Sequence, residues 1–414
     1  MPGAGTVIVG GGQAGFQVAA SLREAGYAEP VIIIGDEPQL PYQRPSLSKT
    51  YLIGETTAQR LEFRPQTYFE KHRIELRTRE RVSAIDRSAR RVTLSSGEML
   101  DYEHLVLATG AHNRKLPVSG AEHDGVLYLR TLAEADAMKE RFAAAESIVV
   151  AGAGFIGLEL AAVASKLGKQ VTVIEPLARV MSRAVSPAIS HFYAQAHAAW
   201  GTDLRVNTRL EKIEAANGRV HGVTTVEGET LPADLVLVGI GIVPASELAE
   251  AAGLSVANGI CVDAQLRTSD PAISAIGDCA SFPDAASGKT IRLESVQNAV
   301  DQARCVAKRI AGQPADYAAV PWFWSDQRDL KLQMVGLTAG SDRTVLRGNP
   351  DERAFSVFCF QGDKLAGIES VNRPGEHMFG RRLLGAGASI TPDEAADPAF
   401  DLKARLATLP RMPA

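Results

Sequence analysis

Four cysteines in 414 residues, with no C-x-x-C and no C-x4-C among them, exclude a zinc ribbon and provide no disulfide framework. Cys261, Cys279, Cys305 and Cys359 lie far apart, as thiols do in chains kept reduced, so a cytoplasmic location is expected. The eight histidines show no metal-ligand spacing, and no metal site is expected. Neither sign of charge dominates. A formal net charge of −4 argues against general nucleic-acid binding, though it leaves room for a local basic patch. No basic leader precedes the first apolar run, so no signal peptide is expected. Long hydrophobic runs are nearly absent as well. Residues 148–165 come nearest to a membrane span, but Glu159 and several glycines interrupt them, and a buried strand followed by a helix fits better. The composition is that of an ordinary globular protein, 45% hydrophobic and 22% charged, in a chain long enough for two or three domains.

What the chain does have is one glycine pattern, twice. Residues 6–26 read TVIVGGGQAGFQVAASLREAG, and residues 149–168 read VVAGAGFIGLELAAVASKLG. Each is a short β-branched run, a G-x-G-x-x-G cluster and a helix-like apolar pattern. Gly10, Gly12 and Gly15 form the first cluster, and Gly152, Gly154 and Gly157 the second. Glycine is needed there so that the chain can turn out of a strand and bring backbone N–H groups against a pyrophosphate. The helix that follows offers its positive N-terminal end. Each unit leads to a second apolar run ending in acid: Asp36 and Glu37 after residues 31–35, and Glu175 after residues 171–174. A carboxylate there suits the ribose hydroxyls of an adenine dinucleotide. Two dinucleotide sites are the expectation; the alternative is a pair of tight turns in an ordinary α/β protein.

The repeat extends further. Residues 101–111, DYEHLVLATGA, and residues 233–244, ADLVLVGIGIVP, are each a buried strand ending in a glycine turn, at a similar distance beyond their own fingerprint. Residues 273–280, ISAIGDCA, return the chain to the first design. The expected fold is therefore α/β, with two Rossmann-like dinucleotide-binding domains, the second inserted in the first. The first would cover residues 1–113 and 249–320, and the inserted one 114–248. After Pro321 alternating stretches at 344–346, 354–359 and 365–371, with helical material near 376–384, indicate a C-terminal α+β domain over 321–414. The proline-rich end, 409–414, is expected to fray.

With both fingerprints, ATGA, the G-D pair of ISAIGDCA and residues 321–327, PWFWSDQ, in view, the chain resembles the NADH-dependent ferredoxin reductases of the putidaredoxin and rhodocoxin reductase type. The likeness runs nearly the whole length. It implies FAD in the first domain, NADH in the inserted one and a C-terminal domain that helps receive an iron–sulfur protein. Gly10, Gly12, Ala14 and Gly15 would then surround the FAD pyrophosphate, and Asp36 would hold its ribose. Asp36 lies farther beyond its third glycine than Glu175 does, so Glu37 stays open for that role. Val82, in VSAID, matches a position whose backbone meets the adenine; read alone it is a plain strand valine. Asp278 would accept hydrogen bonds from the ribityl chain, where its other reading is a helix cap. Val296, at the head of a helix-like stretch in ESVQNA, would bring free N–H groups toward flavin N1 and O2. Arg44 to Lys49 match the family's R-P-x-L-S-K. Lys49 is expected beside the flavin's reactive edge, paired with Glu159 across the nicotinamide. Arg130 in YLRT matches another flavin-proximal position; its other reading is a surface ion pair. Glu175 favours NADH over NADPH because a carboxylate repels a 2′-phosphate. Arg179 and Arg183 nearby stand against that preference.

Disulfide reductases of related fold place a cysteine pair beside the flavin, and this chain has none. Electrons are expected to leave instead to a 2Fe–2S ferredoxin serving a haem monooxygenase or a Rieske-type oxygenase. Trp324 matches the family tryptophan near the flavin on the side away from NADH; the other reading, two core tryptophans, suits Trp322 better than Trp324. Arg304 matches a docking position, with Lys308 and Arg309 farther along the same helical pattern. The rival expectations are an NADH oxidase or apoptosis-inducing-factor-like flavoprotein of the same fold, and a flavin-containing assembly protein with incidental redox activity. No nucleic acid, no membrane and a monomer complete the expectation.

Overall fold

The computed structural model describes residues 4–284, 287–314 and 316–409; of the end expected to fray, 409–414, all but Leu409 lies outside the described residues. The chain divides into two compact units. One comprises residues 1–43, 58–112 and 242–319; the other comprises residues 44–57, 113–241 and 320–414.

In the first unit, four-residue runs such as Thr6–Val9 and Val31–Ile34 are too short and too β-branched for helices, and they pair as parallel strands. The sheet order is Ile273–Ala275, His104–Leu107, Thr6–Val9, Val31–Ile34, Ile74–Arg77, all parallel. Alternation sends successive side chains to opposite faces. Ile8 and Val106 pack with the helices Gln13–Glu24 and Val296–Ile310, while Val7, Val9 and Leu105 pack with the antiparallel strands Val82–Asp86 and Arg91–Leu94. Both faces are thus covered, which is why these strands read as continuous apolar runs. The strand at residues 273–275 closes one edge of the sheet, so a segment distant in sequence completes the unit.

The second unit repeats this design. Its parallel sheet runs Thr202–Val206, Gln170–Glu175, Ser147–Ala151, Leu235–Val238, Val126–Tyr128. The apolar helix Phe155–Lys166 lies on it, so residues 148–165 are a buried strand and helix. Among the described residues no helix is long and apolar enough to cross a membrane. Residues 210–232 add an antiparallel meander. The alternating stretches after Pro321 build a five-stranded antiparallel sheet in the order Trp322–Gln327, Leu330–Gly336, Lys364–Val371, Ala354–Gln361, Arg343–Asn349. Helix Pro374–Gly385 packs on it through Gly380, where a Cβ would come within 2.7 Å of Val335 Cγ1 and 2.8 Å of Ile368 Cδ1. The fold is therefore mixed α/β, two Rossmann-like sheets with a C-terminal α+β region.

Some polar groups sit deep in the second unit. Glu369, fully buried, accepts from the Ser186 N–H and from the Thr338 hydroxyl at 2.7 Å, which ties the start of helix Pro187–Ala199 to the C-terminal sheet. Burial pushes its carboxyl pKa up. His197 and His377 are also buried, and burial lowers both imidazoles to about 4. As pH falls from roughly 6.5 toward 4 the unfolded histidines take up protons that the native ones refuse, so stability is lost across that window and is fully present above it. The thermal midpoint is expected to fall between pH 6.5 and 4.5, and His377→Asn to flatten part of that slope. An equal slope in wild type and variant would remove His377 from the account.

Candidate functional site

The two glycine clusters share one geometry. Gly10 and Gly152 take positive φ, +120° and +98°. A Cβ on Gly15 would stand 1.9 Å from the Gly10 carbonyl oxygen, and one on Gly157 would stand 2.0 Å from that of Gly152. Only glycine lets each helix seat so closely on its own turn. Gly12 and Gly154 differ. A Cβ on Gly12 meets nothing within 4 Å, and one on Gly154 nears only the Gly239 oxygen at 3.8 Å. Steric need inside the protein does not explain these two glycines; room for something brought against the backbone does. Both are helix N-caps with no side-chain cap bond, so the first N–H groups of Gln13–Glu24 and Phe155–Lys166 remain for an anion.

In the first unit three backbone features converge. Gly277, at φ +77°, precedes Asp278, and a Cβ on it would lie 3.3 Å from Ala14 Cβ and 3.8 Å from Ala299 Cβ. The Gly277–Asp278 turn, the first fingerprint and the start of helix Val296–Ile310 are thus neighbours. Ser295 caps that helix by accepting from the Asn298 N–H, and Val296 opens its first turn. Gln302, fully buried, accepts from the Gly277 N–H at 2.7 Å, while its Nε2 has no protein partner. An orphaned donor beside this cradle is what a bound polar group would satisfy, so the residues fit a dinucleotide with a flavin. Asp36 is exposed, Glu37 is half-buried and accepts the Tyr42 hydroxyl at 2.6 Å, and Val82 is buried at the start of its strand. Arg304 is exposed and lies 3.4 Å from Asp301, and Lys308 is exposed. Arg309 is half-buried and donates to Ser274 Oγ.

In the second unit Lys49 follows the 3-10 turn Pro45–Ser48, and its Nζ lies 2.6 Å from Glu159 Oε2. Lys49 is 17% exposed and Glu159 2%. Ser48 and Ser325 donate to the same carboxylate. Burying a carboxylate is costly unless it is paired and hydrogen-bonded, and here it is both. Glu175 Oε2 accepts from the Ala153 N–H at 2.8 Å and Oε1 from the Leu177 N–H at 3.0 Å, which fixes the acid at the mouth of the second fingerprint. Arg179 turns inward and donates to the carbonyls of Val185 and Ser182, each at 2.8 Å, whereas Arg183 is exposed. Arg44 donates to the Arg130 carbonyl at 2.6 Å, and the Arg130 N–H donates to Glu134, the capping-box residue of helix Leu132–Ala144. Trp324 and Trp322 share one face of their strand with ring centroids 5.6 Å apart; Trp322 also lies under the Arg381 guanidinium.

All four cysteines are free thiols, two buried and two half-buried. Among the described residues no group of three His, Cys, Asp or Glu side chains could hold a metal ion. Ser48, Ser325 and Gln302 were not singled out in the sequence. The first two stand inside R-P-x-L-S-K and PWFWSDQ, where the lysine and the tryptophans drew the reading.

Two open glycine cradles, each between a parallel strand and an uncapped helix start, are the architecture of a protein that holds two dinucleotides. The chain belongs to the pyridine nucleotide-disulphide oxidoreductase family, whose model matches residues 5–303, and residues 322–406 match a reductase C-terminal model. It is 52% identical to rhodocoxin reductase of Rhodococcus erythropolis over 97% of this chain and 94% of that one. It is 42% identical to putidaredoxin reductase of Pseudomonas putida over 96% and 95%. Among solved structures, a ferredoxin reductase of Rhodopseudomonas palustris superposes with a TM-score of 0.96 at 52% identity, covering 97% of this chain and 99% of that one. The covalent putidaredoxin reductase–putidaredoxin complex gives 0.95 at 40% identity, covering 98% of each. FAD and NAD(H) are the cofactors of this family.

The glycines divide into two kinds that substitution separates. Gly157→Ala strikes the protein's own backbone and is expected to cost about 1–3 kcal/mol or more, seen as a lower thermal midpoint. Gly154→Ala is expected to leave that midpoint nearly unchanged while weakening NADH binding about tenfold or more in a titration. Equal thermal losses in both variants would contradict the distinction.

Proposed function

We propose that this protein is an FAD-dependent NADH:ferredoxin oxidoreductase. The observation that carries the reading is the pair of open glycine cradles in one chain that has no cysteine pair to accept electrons. Bound FAD would supply the chemistry, taking hydride from NADH and releasing the two electrons one at a time. The names of the relatives, and the complex with putidaredoxin, support a ferredoxin as acceptor. The 2Fe–2S type, a downstream haem monooxygenase or Rieske-type oxygenase, a monomeric state and a cytoplasmic location belong to the same proposal.

The residues take roles that their geometry allows. Gly10, Gly12, Ala14 and Gly15 hold the FAD pyrophosphate, Asp36 or Glu37 its ribose, and Val82 its adenine through backbone. Asp278 binds the ribityl hydroxyls, and the helix end at Val296 stabilises negative charge on the reduced ring. Gly152, Gly154 and Gly157 hold the NADH pyrophosphate. Each Glu175 oxygen keeps a lone pair after its backbone bond, enough to accept from a 2′-hydroxyl. Arg179, occupied with two carbonyls, offers a 2′-phosphate little, which supports NADH over NADPH. Lys49 and Glu159 are assigned to orienting the nicotinamide, Arg130 to the flavin, Trp324 to the electron outlet, and Arg304 to docking of an acidic ferredoxin. The proposed FAD domain is residues 1–113 and 249–320, the NAD domain 114–248 and the C-terminal domain 321–414, whereas the compact units group residues 44–57 and 242–248 differently. Positioning and electrostatics, rather than an acid–base side chain, are the protein's contribution.

Anaerobic stopped-flow mixing with NADH is expected to bleach the oxidised flavin band quickly, and NADPH to bleach it far more slowly. Protein without flavin, or without bleaching by either coenzyme, overturns the reading. Oxygen consumption that matches the best ferredoxin rate without any carrier points to an oxidase. Arg304→Glu is expected to slow reduction of a 2Fe–2S ferredoxin several-fold at low ionic strength, with the difference shrinking as salt rises and bleaching by NADH unchanged. A salt-independent ferredoxin rate removes Arg304 from docking.

A further inference from the structure

The carboxylate of Glu159 is held from two sides. Ser48 Oγ at 2.5 Å and Lys49 Nζ at 2.6 Å reach Oε2, and Ser325 Oγ at 2.6 Å reaches Oε1. Behind Ser325 the bonds continue. Gln327 Nε2 is 3.3 Å from Ser325 Oγ, and Gln327 Oε1 is 2.8 Å from His197 Nε2. Ser325, Gln327 and His197 are all buried, so water does not compete for any of these groups.

Counting protons gives the chain a direction. A hydroxyl has one hydrogen, and Ser325 directs it at a carboxylate that accepts from Lys49 and Ser48 as well. Ser325 must then accept from the amide nitrogen of Gln327, which turns the amide oxygen toward His197. The imidazole must donate through Nε2. A neutral imidazole has only one N–H, which leaves Nδ1 bare, and Nδ1 has no hydrogen-bond partner. Burial keeps the ring neutral at ordinary pH by lowering its pKa to about 4.

The backbone keeps this register. Phe323, Ser325 and Gln327 alternate onto one face of their strand. Phe323 meets Phe155 at 4.6 Å between ring centroids, and Ser325 meets Glu159, four residues farther along the helix. Four helical residues rise about 6 Å and two strand residues about 6.8 Å, so the two elements stay in step over this stretch. His197 comes from a separate helix, Pro187–Ala199.

We propose that Ser325, Gln327 and His197 are positioning residues, a one-way chain of hydrogen bonds that fixes Glu159 Oε1 and so leaves Oε2 aimed at Lys49. This rests on the reading of Lys49 and Glu159 as the pair that faces the coenzyme. The three residues touch no reacting atom. They act by denying Glu159 other rotamers, so their loss loosens the alignment of the nicotinamide more than its affinity.

The test uses the full-length, flavin-loaded protein. Ser325→Ala and Gln327→Met are each expected to slow bleaching by NADH about tenfold, the scale of one buried hydrogen bond, while the NAD+ dissociation constant stays within about twofold. In the double variant Ser325→Ala/Glu159→Gln the rate is expected to equal that of Glu159→Gln alone, since the serine acts through the carboxylate. Nitrogen-15 NMR at neutral pH is expected to show the His197 ring neutral and protonated at Nε2. A wild-type rate in Ser325→Ala beside a slow Glu159→Gln overturns the proposal. So does a multiplicative loss in the double variant, or an Nδ1-protonated ring. A wild-type rate in Glu159→Gln overturns the coenzyme-facing reading itself, and the proposal with it.

Discussion

The molecule depends on a close approach that only a missing side chain permits. In each fingerprint the third glycine brings its helix so near the turn that a single added carbon would stand about 2 Å from a backbone oxygen. That approach aims the uncapped helix end at the turn and clears the space where a pyrophosphate would lie. Because the constraint is steric and backbone-borne, it appears in both units with the same residue type at the same spacing. Glu175 takes its place beside this turn in the second unit, and the acids at 36–37, the turn at Gly277 and the helix start at Val296 belong to the first.

Much of this was legible in the sequence because the requirement is local. A glycine held at positive φ, or pressed against a carbonyl, has few substitutes, and the β-branched runs beside it show their burial directly. The Lys49–Glu159 pair was accessible only by resemblance, since 110 residues separate the partners and neither stretch alone implies the other. Ser325 and Gln327 were in view inside PWFWSDQ yet carried no signal of their own. Their meaning arises where a two-residue strand period meets a four-residue helix step, which is a tertiary fact. Arg179 shows the same limit. An arginine beside the coenzyme strand suggests phosphate, and only the fold shows it folded back onto its own loop. The meander at 210–232 carries no comparable signal because its two seven-residue strands, Leu210–Ala216 and Arg219–Thr225, are largely polar or small and lack a strong alternation.

Glu159 also shows how this fold handles a charge it could have left out. A carboxylate that is 2% exposed loses most of its hydration, and Lys49, itself largely covered, returns only part of that loss. The hydroxyls of Ser48 and Ser325 make up the coordination, one on each oxygen. The first comes from the segment at residues 44–57, which groups with the second unit despite its early place in the chain. Distant stretches of sequence thus complete a site that the inserted design could not build alone.

Strand Trp322–Gln327 gives this arrangement its last consequence. Its even-numbered residues present the tryptophans to one side, and its odd-numbered residues reach the Glu159 helix on the other. Two tasks are therefore written on a single ribbon with a spacing of one residue. A one-residue insertion or deletion within it would exchange the two faces, placing indoles where the hydroxyl and amide belong. Such a segment can vary by substitution, one face at a time, but its length has no freedom to drift.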